Sequence, residues 1–302
     1  MAPWKPDARE TVLARDSIAF ATGAAEAVSG MRWFRDMQGN DIQQQLAGWP
    51  AGPSFAARPP AQQRPVRKVG LFGLRALYVV IAGALEGLGG TGSFFPGAGD
   101  GPGRSQDPAN EIEDFPVIQG NSGSIAQGLP WQLDPARCSE GYRAHAVVTD
   151  QRVVIVGFQD DDPSQDEVLW DIERSAIKSV ERMRYSRVGE EAKICFVDGS
   201  SCRLAPPSRR MQWTVLRHLA HPTELVPIDI LTPRQRGYVQ SYVDSVTDRD
   251  SALSPVVTRR PSGKFLIEVT TTEPVKPDVG IFKAYSLVSK AGRRGGFNPG
   301  DV

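Results

Sequence analysis

The sequence predicts an α+β protein built on a small antiparallel β-barrel that is capped by a C-terminal helix. N-terminal helices and a Gly/Pro-rich linker precede the barrel, and a further helix and strands follow it. Three observations carry this expectation. From Tyr142 to Leu204, short β-branched runs alternate with turn residues. From Met211 through Val215 to Leu219, apolar residues recur at i, i+4 and i+8, one face of a helix. The chain of 302 residues holds 30 glycines and 24 prolines, above average usage, as expected of folded parts joined by long loops.

In chain order, residues 1–48 form an N-terminal helical segment. Asp7 to about Gln38 is helix-compatible, and Leu13, Phe20, Ala24, Val28 and Met31 approximate a stripe between charged residues. Residues 49–68 are a Pro-rich linker biased toward extended geometry.

Residues 69–90 form an apolar helix. Leu71, Leu74, Tyr78, Ile81, Leu85 and Leu88 share one face. Three placements of Val69–Leu85 are open: spanning a bilayer, lying at its surface, or packed inside the protein, which we prefer. A span needs about 20 apolar residues. Arg75 inside the run would cost roughly 2.5–3.5 kcal/mol near a bilayer centre. At a membrane surface, Leu71, Phe72, Leu74 and Tyr78 would insert, with Arg67, Lys68 and Arg75 near the headgroups.

Gly87, Gly89 and Gly92 match a dinucleotide-binding spacing. That motif needs a helix opening at its third glycine, and Ser93-Phe-Phe-Pro-Gly-Ala-Gly cannot supply one. Residues 91–128 therefore read as a flexible Gly/Pro-rich linker.

The barrel domain spans 129–222. Ala144–Thr149 and Arg152–Phe158 flank Asp150-Gln151 and read as a hairpin. Asp160–Ser164 is a turn cluster, and Glu167–Trp170 a third short run. Ile177 and Val180 are core candidates. Ala192–Val197 and Ser201–Leu204 flank Asp198-Gly199, a strong hairpin signal because glycine tolerates positive φ. A two-residue loop would put Cys195 opposite Cys202, and a three-residue loop Phe196 opposite Cys202. The second is preferred, since it puts Ile194, Phe196, Cys202 and Leu204 on one buried face. Ser208 can cap the helix from Arg209 to about Ala220.

Thr149, Asp150 and Arg152, then Trp170 and Ile172, Ile177 and Val180, then Phe196, Asp198 and Gly199 stand in "AVVTDQRVVIV", "VLWDIERSAIKSV" and "ICFVDGSSCRL". With a terminal helix, this resembles the bacterial pleckstrin-homology-like domains, including their GRAM-type branch. The resemblance covers residues of about 140–221. It implies docking to a membrane or a protein rather than catalysis. The family's lipid-binding members use a basic cluster at the first hairpin, where this chain has Arg143, His145 and Arg152 beside Asp150.

Residues 223–302 form a C-terminal extension. Thr232, Pro233 and Gln235 make a capping box for a helix bearing Tyr238, Val239, Tyr242 and Val243. Phe265–Thr270 reads as a strand, with Ile281–Val288 as its partner. The end from Lys290 reads as a frayed tail.

Lys plus Arg equals Asp plus Glu, 35 each, which argues against nucleic acid as a partner. Three cysteines and three histidines make neither a disulfide framework nor a zinc-ligand spacing. No nucleophile elbow, metalloprotease or phosphate-loop motif is present, so no catalytic residue and no cofactor are expected. The N-terminus lacks the apolar run of a signal peptide, so a cytoplasmic setting is expected. Arg182, Arg184, Arg203, Arg209 and Arg210 are candidates for a basic surface facing anionic lipid or an acidic partner.

The expected function is non-catalytic docking. It is either peripheral at a membrane, through the apolar helix and the pleckstrin-homology-like module, or adaptor-like. In the adaptor case a partner peptide binds the barrel edge and the apolar helix is core.

Overall fold

The computed structural model describes residues 4–22, 34–52, 116–183, 191–205, 215, 218–219, 224–246, 253–271, 282–298 and 301. In chain order the strands are β1 (Val12–Ser17), β2 (Ala19–Phe20), β3 (Phe34–Arg35), β4 (Ile118–Gln119) and β5 (Tyr142–Thr149). Then come β6 (Arg152–Gln159), β7 (Asp162–Glu173), β8 (Ile177–Met183), β9 (Glu191–Phe196) and β10 (Ser201–Ala205). After β11 (Glu224–Leu225) and the helix α1 (Pro233–Val246) follow β12 (Leu253–Arg259), β13 (Phe265–Thr271), β14 (Phe282–Val288) and β15 (Arg294–Gly295).

These make three sheets. The first has the order β1-β5-β6-β7, and the second β3-β4-β10-β9-β8 with β2 also on β10. The third is β11-β12-β13-β14-β15. None closes on itself, so the expected barrel is corrected to a mostly β fold with open sheets. The physical reason lies at a corner. A 3-10 turn at Arg174–Ala176 carries the chain from β7 to β8, out of the first sheet and into the second. Across that corner neither strand pairs with the other.

The expected N-terminal helix is also corrected. Residues 12–17 add a strand to the free side of β5, with Arg15 opposite Val147 and Ser17 opposite His145. Four consecutive residues, Leu13 to Asp16, are buried, so both faces of this strand are covered. A strand covered on both faces shows no two-residue alternation, and the weak helical stripe was the only period left to read. The chain then crosses to the second sheet, where Phe20 sits opposite Leu204. Ala24, Val28 and Met31 lie outside the described residues.

The main core lies between the first and second sheets. Leu13, Ala146, Val148, Val153 and Ile155 come from the first, and Ile194, Phe196, Cys202 and Leu204 from the second. Fully burying a side chain of this size is worth about 1.5–3 kcal/mol. Leu133 joins from a 3-10 turn at Trp131–Leu133. Val215 and Leu219 join from a helical stretch within the expected capping helix, most of which lies outside the described residues.

Turn chemistry sets both hairpins. The Thr149 hydroxyl accepts from the amides of Gln151 (3.1 Å) and Arg152 (2.9 Å). In the β9/β10 hairpin Cys195 faces Ser201 and Ile194 faces Cys202. The loop has three residues, but they are Val197 to Gly199, with the Phe196 amide donating to Ser200 O. Both expected pairings are thus corrected. The expected buried face survives, because the shift moves the pairing by an even step and keeps every side chain on its side. Gly199 takes φ +86°, which a residue with a Cβ resists.

The third sheet is covered on both faces. Val257, Ile267 and Val288 pack under α1 with Val239, Tyr238 and Tyr242. Thr232 and Gln235 form the expected box: the Thr232 amide donates to Gln235 Oε1 (2.9 Å), and the Gln235 amide to Thr232 Oγ1 (3.3 Å). From the opposite face Val256 reaches the main core. The expected frayed tail is instead tied down: β15 pairs with β14, and Arg260 donates to Asp301 O (2.9 Å).

Candidate docking edge

Among the described residues, β7 is the longest open edge. Of its twelve residues, seven pair with β6 on one side, and no strand among the described residues pairs with it on the other. The opposite edge of that sheet, β1, has its four central residues buried. The outer strands of the third sheet and β3 of the second have two residues each. β8 is open as well but has seven.

β7 runs through Pro163, which lacks an amide proton and is tolerated in sheets at edges. The turn therefore narrows to Asp160–Asp161, and most of the expected turn cluster belongs to the strand. Sequence reading missed the length of β7, because Pro163-Ser-Gln-Asp-Glu167 carries no apolar alternation.

The register fixes which side chains point where. Ile172 pairs with Val153 and Trp170 with Ile155, so both face the core. The Trp170 ring meets Phe196 of the second sheet edge-on at 6.3 Å. Leu169 is an extra residue at a bulge between the pairs Ile155–Trp170 and Val156–Val168. Beyond it, Val168 is 52 % exposed in mid-strand. Across the corner, Ile177 pairs with Phe196 and Val180 with Ile194, half-buried against the same core.

The other side of β7 is pinned. Arg15 from β1 donates to both oxygens of Asp166, at 2.8 and 2.6 Å, and both side chains are buried. The Trp4 amide donates to the same carboxylate at 2.6 Å. His145 lies beside Arg15 (3.5 Å) and edge-on to Phe158 (4.7 Å). Arg152 holds Glu10 (2.8 Å), Asp171 (2.6 Å) and Asp7 (3.2 Å), under the Trp4 ring. Burial opposes the charge on Glu10, yet bonds from Arg152 and the Asp7 amide hold its carboxyl below the usual range. The Glu10 hydrogen bond, followed by Asp171, raises the Arg152 guanidinium in turn. A strand held this way loses little freedom when a guest adds to it.

The residues singled out from sequence do not assemble into one surface. Leu71, Phe72, Leu74, Tyr78, Arg67, Lys68, Arg75, Arg184, Arg209 and Arg210 lie outside the described residues. Arg182 stands on β8 opposite Ala192. Arg203 is 1 % exposed, with its guanidinium 3.8 Å from the buried Glu191, so it contributes to the interior rather than to a basic surface. His218 is buried against Glu268. Among the described residues no group of three or more His, Cys, Asp or Glu could hold a metal ion. No helix among them is long and apolar enough to cross a membrane. No known protein family, curated protein or solved structure matches the chain.

Proposed function

We propose that this protein is a non-catalytic docking protein that takes an extended segment of a partner protein along the free edge of β7. One observation carries this: a pinned twelve-residue strand whose outer side has no ladder partner among the described residues, with Val168 exposed in its middle. An open edge is a template for strand addition, and the carboxylates, Pro163 and the bulge at Leu169 limit which guests can pair along β7. Added main-chain bonds supply affinity, and alternate side chains supply specificity. The half-buried Trp170 and Ile172 on one side, and Ile177 and Val180 across the corner, offer apolar surface to every second residue of a guest. The hairpin motifs shared with pleckstrin-homology-like domains support the same class of function. Cys138, Cys195 and Cys202 are thiols in no disulfide, which supports a reducing, cytoplasmic setting.

The test is selection of twelve-residue peptides from a display library, on the full chain and on its Val168→Pro variant. Peptides bound by the first and lost by the second, with both proteins melting as cooperative folds, support edge docking. Peptides retained by the variant place the binding elsewhere. No peptides, together with co-sedimentation on anionic vesicles, would replace strand addition by membrane docking.

A further inference from the structure

We infer that the C-terminal extension carries a second docking surface, a basic one that settles on an anionic lipid bilayer. It is separate from the β7 edge and does not rest on it. The register puts Arg259, Phe265, Val288 and Arg294 in one row, so the turns that follow β12 and β14 lie at the same end of the third sheet. Both turns close alike: the Gly263 amide donates to Arg260 O (2.7 Å), and the Gly292 amide to Ser289 O (2.9 Å). The first turn of α1 joins them there, with Gln235 Nε2 donating to Ser289 O (3.4 Å) and Lys290 O (3.3 Å).

The two turn glycines seat cationic stems. A Cβ on Gly263 would stand 2.6 Å from Lys290 Cε, and one on Gly292 would stand 2.7 Å from Arg234 Cγ. The stems of Lys290 and Arg234 thus lie along turn backbone while their charged heads stay in water. Arg236, Arg293 and Arg294 belong to the same segments, and all five side chains are exposed. None of the five pairs with a carboxylate among the described residues. Lys264 adds a half-buried charge, bonded to Gly296 O and Asn298 Oδ1. Of the acidic residues nearby, Asp301 is buried and held by the Asn298 and Ser262 amides, and Glu224 is paired with Arg259. Asp229 is exposed. The N-terminal end of α1 adds partial positive charge.

An apolar pair beside these charges selects a bilayer over an acidic protein or a nucleic acid. Ile228 and Ile230, on a 3-10 turn just before Thr232, are 39 % and 62 % exposed. At a headgroup boundary, aliphatic side chains insert and neighbouring cations meet lipid phosphates. A nucleic-acid backbone gives such side chains nothing to pack on.

The experiment sediments the full chain with vesicles of phosphatidylcholine, alone or mixed with phosphatidylserine. Binding is expected only on the mixed vesicles, and should vanish near 1 M salt, where the Debye length is about 3 Å. In the triple variant Lys290→Gln, Arg293→Gln, Arg294→Gln, partitioning is expected to fall roughly a hundredfold, about fivefold for each charge removed. The pair Ile228→Ser, Ile230→Ser should weaken it roughly tenfold and leave its salt dependence unchanged. Thermal melts check that both variants fold. Val168→Pro should bind vesicles as the parent does, which separates this surface from the β7 edge. No sedimentation, or equal sedimentation on both vesicles, would overturn the proposal. Anionic binding that survives in the triple variant would overturn its assignment to this surface. Tighter binding to polyglutamate or to a DNA duplex, unchanged in the isoleucine variant, would put that partner in place of the bilayer.

Discussion

His218 Nε2 lies 2.7 Å from Glu268 Oε2, and both side chains are fully buried. This contact joins the helical stretch above the main core to β13 of the third sheet, fifty residues further on. The corner residue Arg174 is part of the same junction, donating to the backbone oxygens of His218 and Thr149. The C-terminal extension is thus packed on the two-sheet body through a polar bond, with Val256 and Leu225 adding apolar contact.

Removing one partner leaves the other buried without this bond. His218→Ala or Glu268→Ala is expected to lower unfolding free energy by about 2–4 kcal/mol. The double variant should lose clearly less than the sum of the two, since the residues share one contact. Urea unfolding of the four proteins checks this, and strict additivity would show that the two side chains do not depend on each other.

Asp16 sits on β1 opposite Ala146, inside the protein. Burial pushes its carboxyl up to about 7, with the Ser17 amide pulling the other way. Unfolded, it titrates near 4. Its folded value is the higher, so the stability it contributes is complete below about pH 4 and is lost as pH rises through about 7. Asp16→Asn cannot ionise. The variant should lose this slope and be more stable than the parent at pH 8 by about 2–4 kcal/mol. Unfolding at pH 5 and pH 8 reads it directly, and an unchanged slope would mean that Asp16 ionises freely in the folded protein.

Among the described residues Arg203 is the largest fully buried side chain, on β10 beside Glu191 of β9. Arg203→Leu is expected to cost about 3–5 kcal/mol by leaving the Glu191 carboxylate buried without the guanidinium. Adding Glu191→Leu should recover much of that loss, because an apolar pair of similar volume substitutes well for buried charges. Thermal melts of the single and double variants decide it. A double variant worse than the single would show that the cost is lost packing rather than stranded charge.

What was legible in the sequence was local. Thr149-Asp150 and Asp198-Gly199 bend the chain by their own hydrogen bonds and backbone freedom, so both hairpins could be read from a few residues. The Thr232–Gln235 box marked the start of α1 for the same reason. What was illegible depended on distant partners. Val12–Ser17 is a strand because β5 lies alongside it, more than a hundred residues away. His218 looks like an outward polar residue until Glu268 is placed against it. Arg203 looks like surface charge until β4 and β9 close around its strand. The docking edge fell between these cases. Its residues alternate well only on the inner side of the bulge at Leu169, and that irregularity hid a twelve-residue strand behind a four-residue run.

Strand addition at β7 is tested most directly by amide hydrogen exchange of the full chain, with and without a saturating peptide selected on it. A guest strand takes up the outward-facing amides of the edge, so slowed exchange is predicted within residues 165–172 and not in β8 or α1. Slowing confined to other segments, or no slowing at saturation, would contradict docking at this edge.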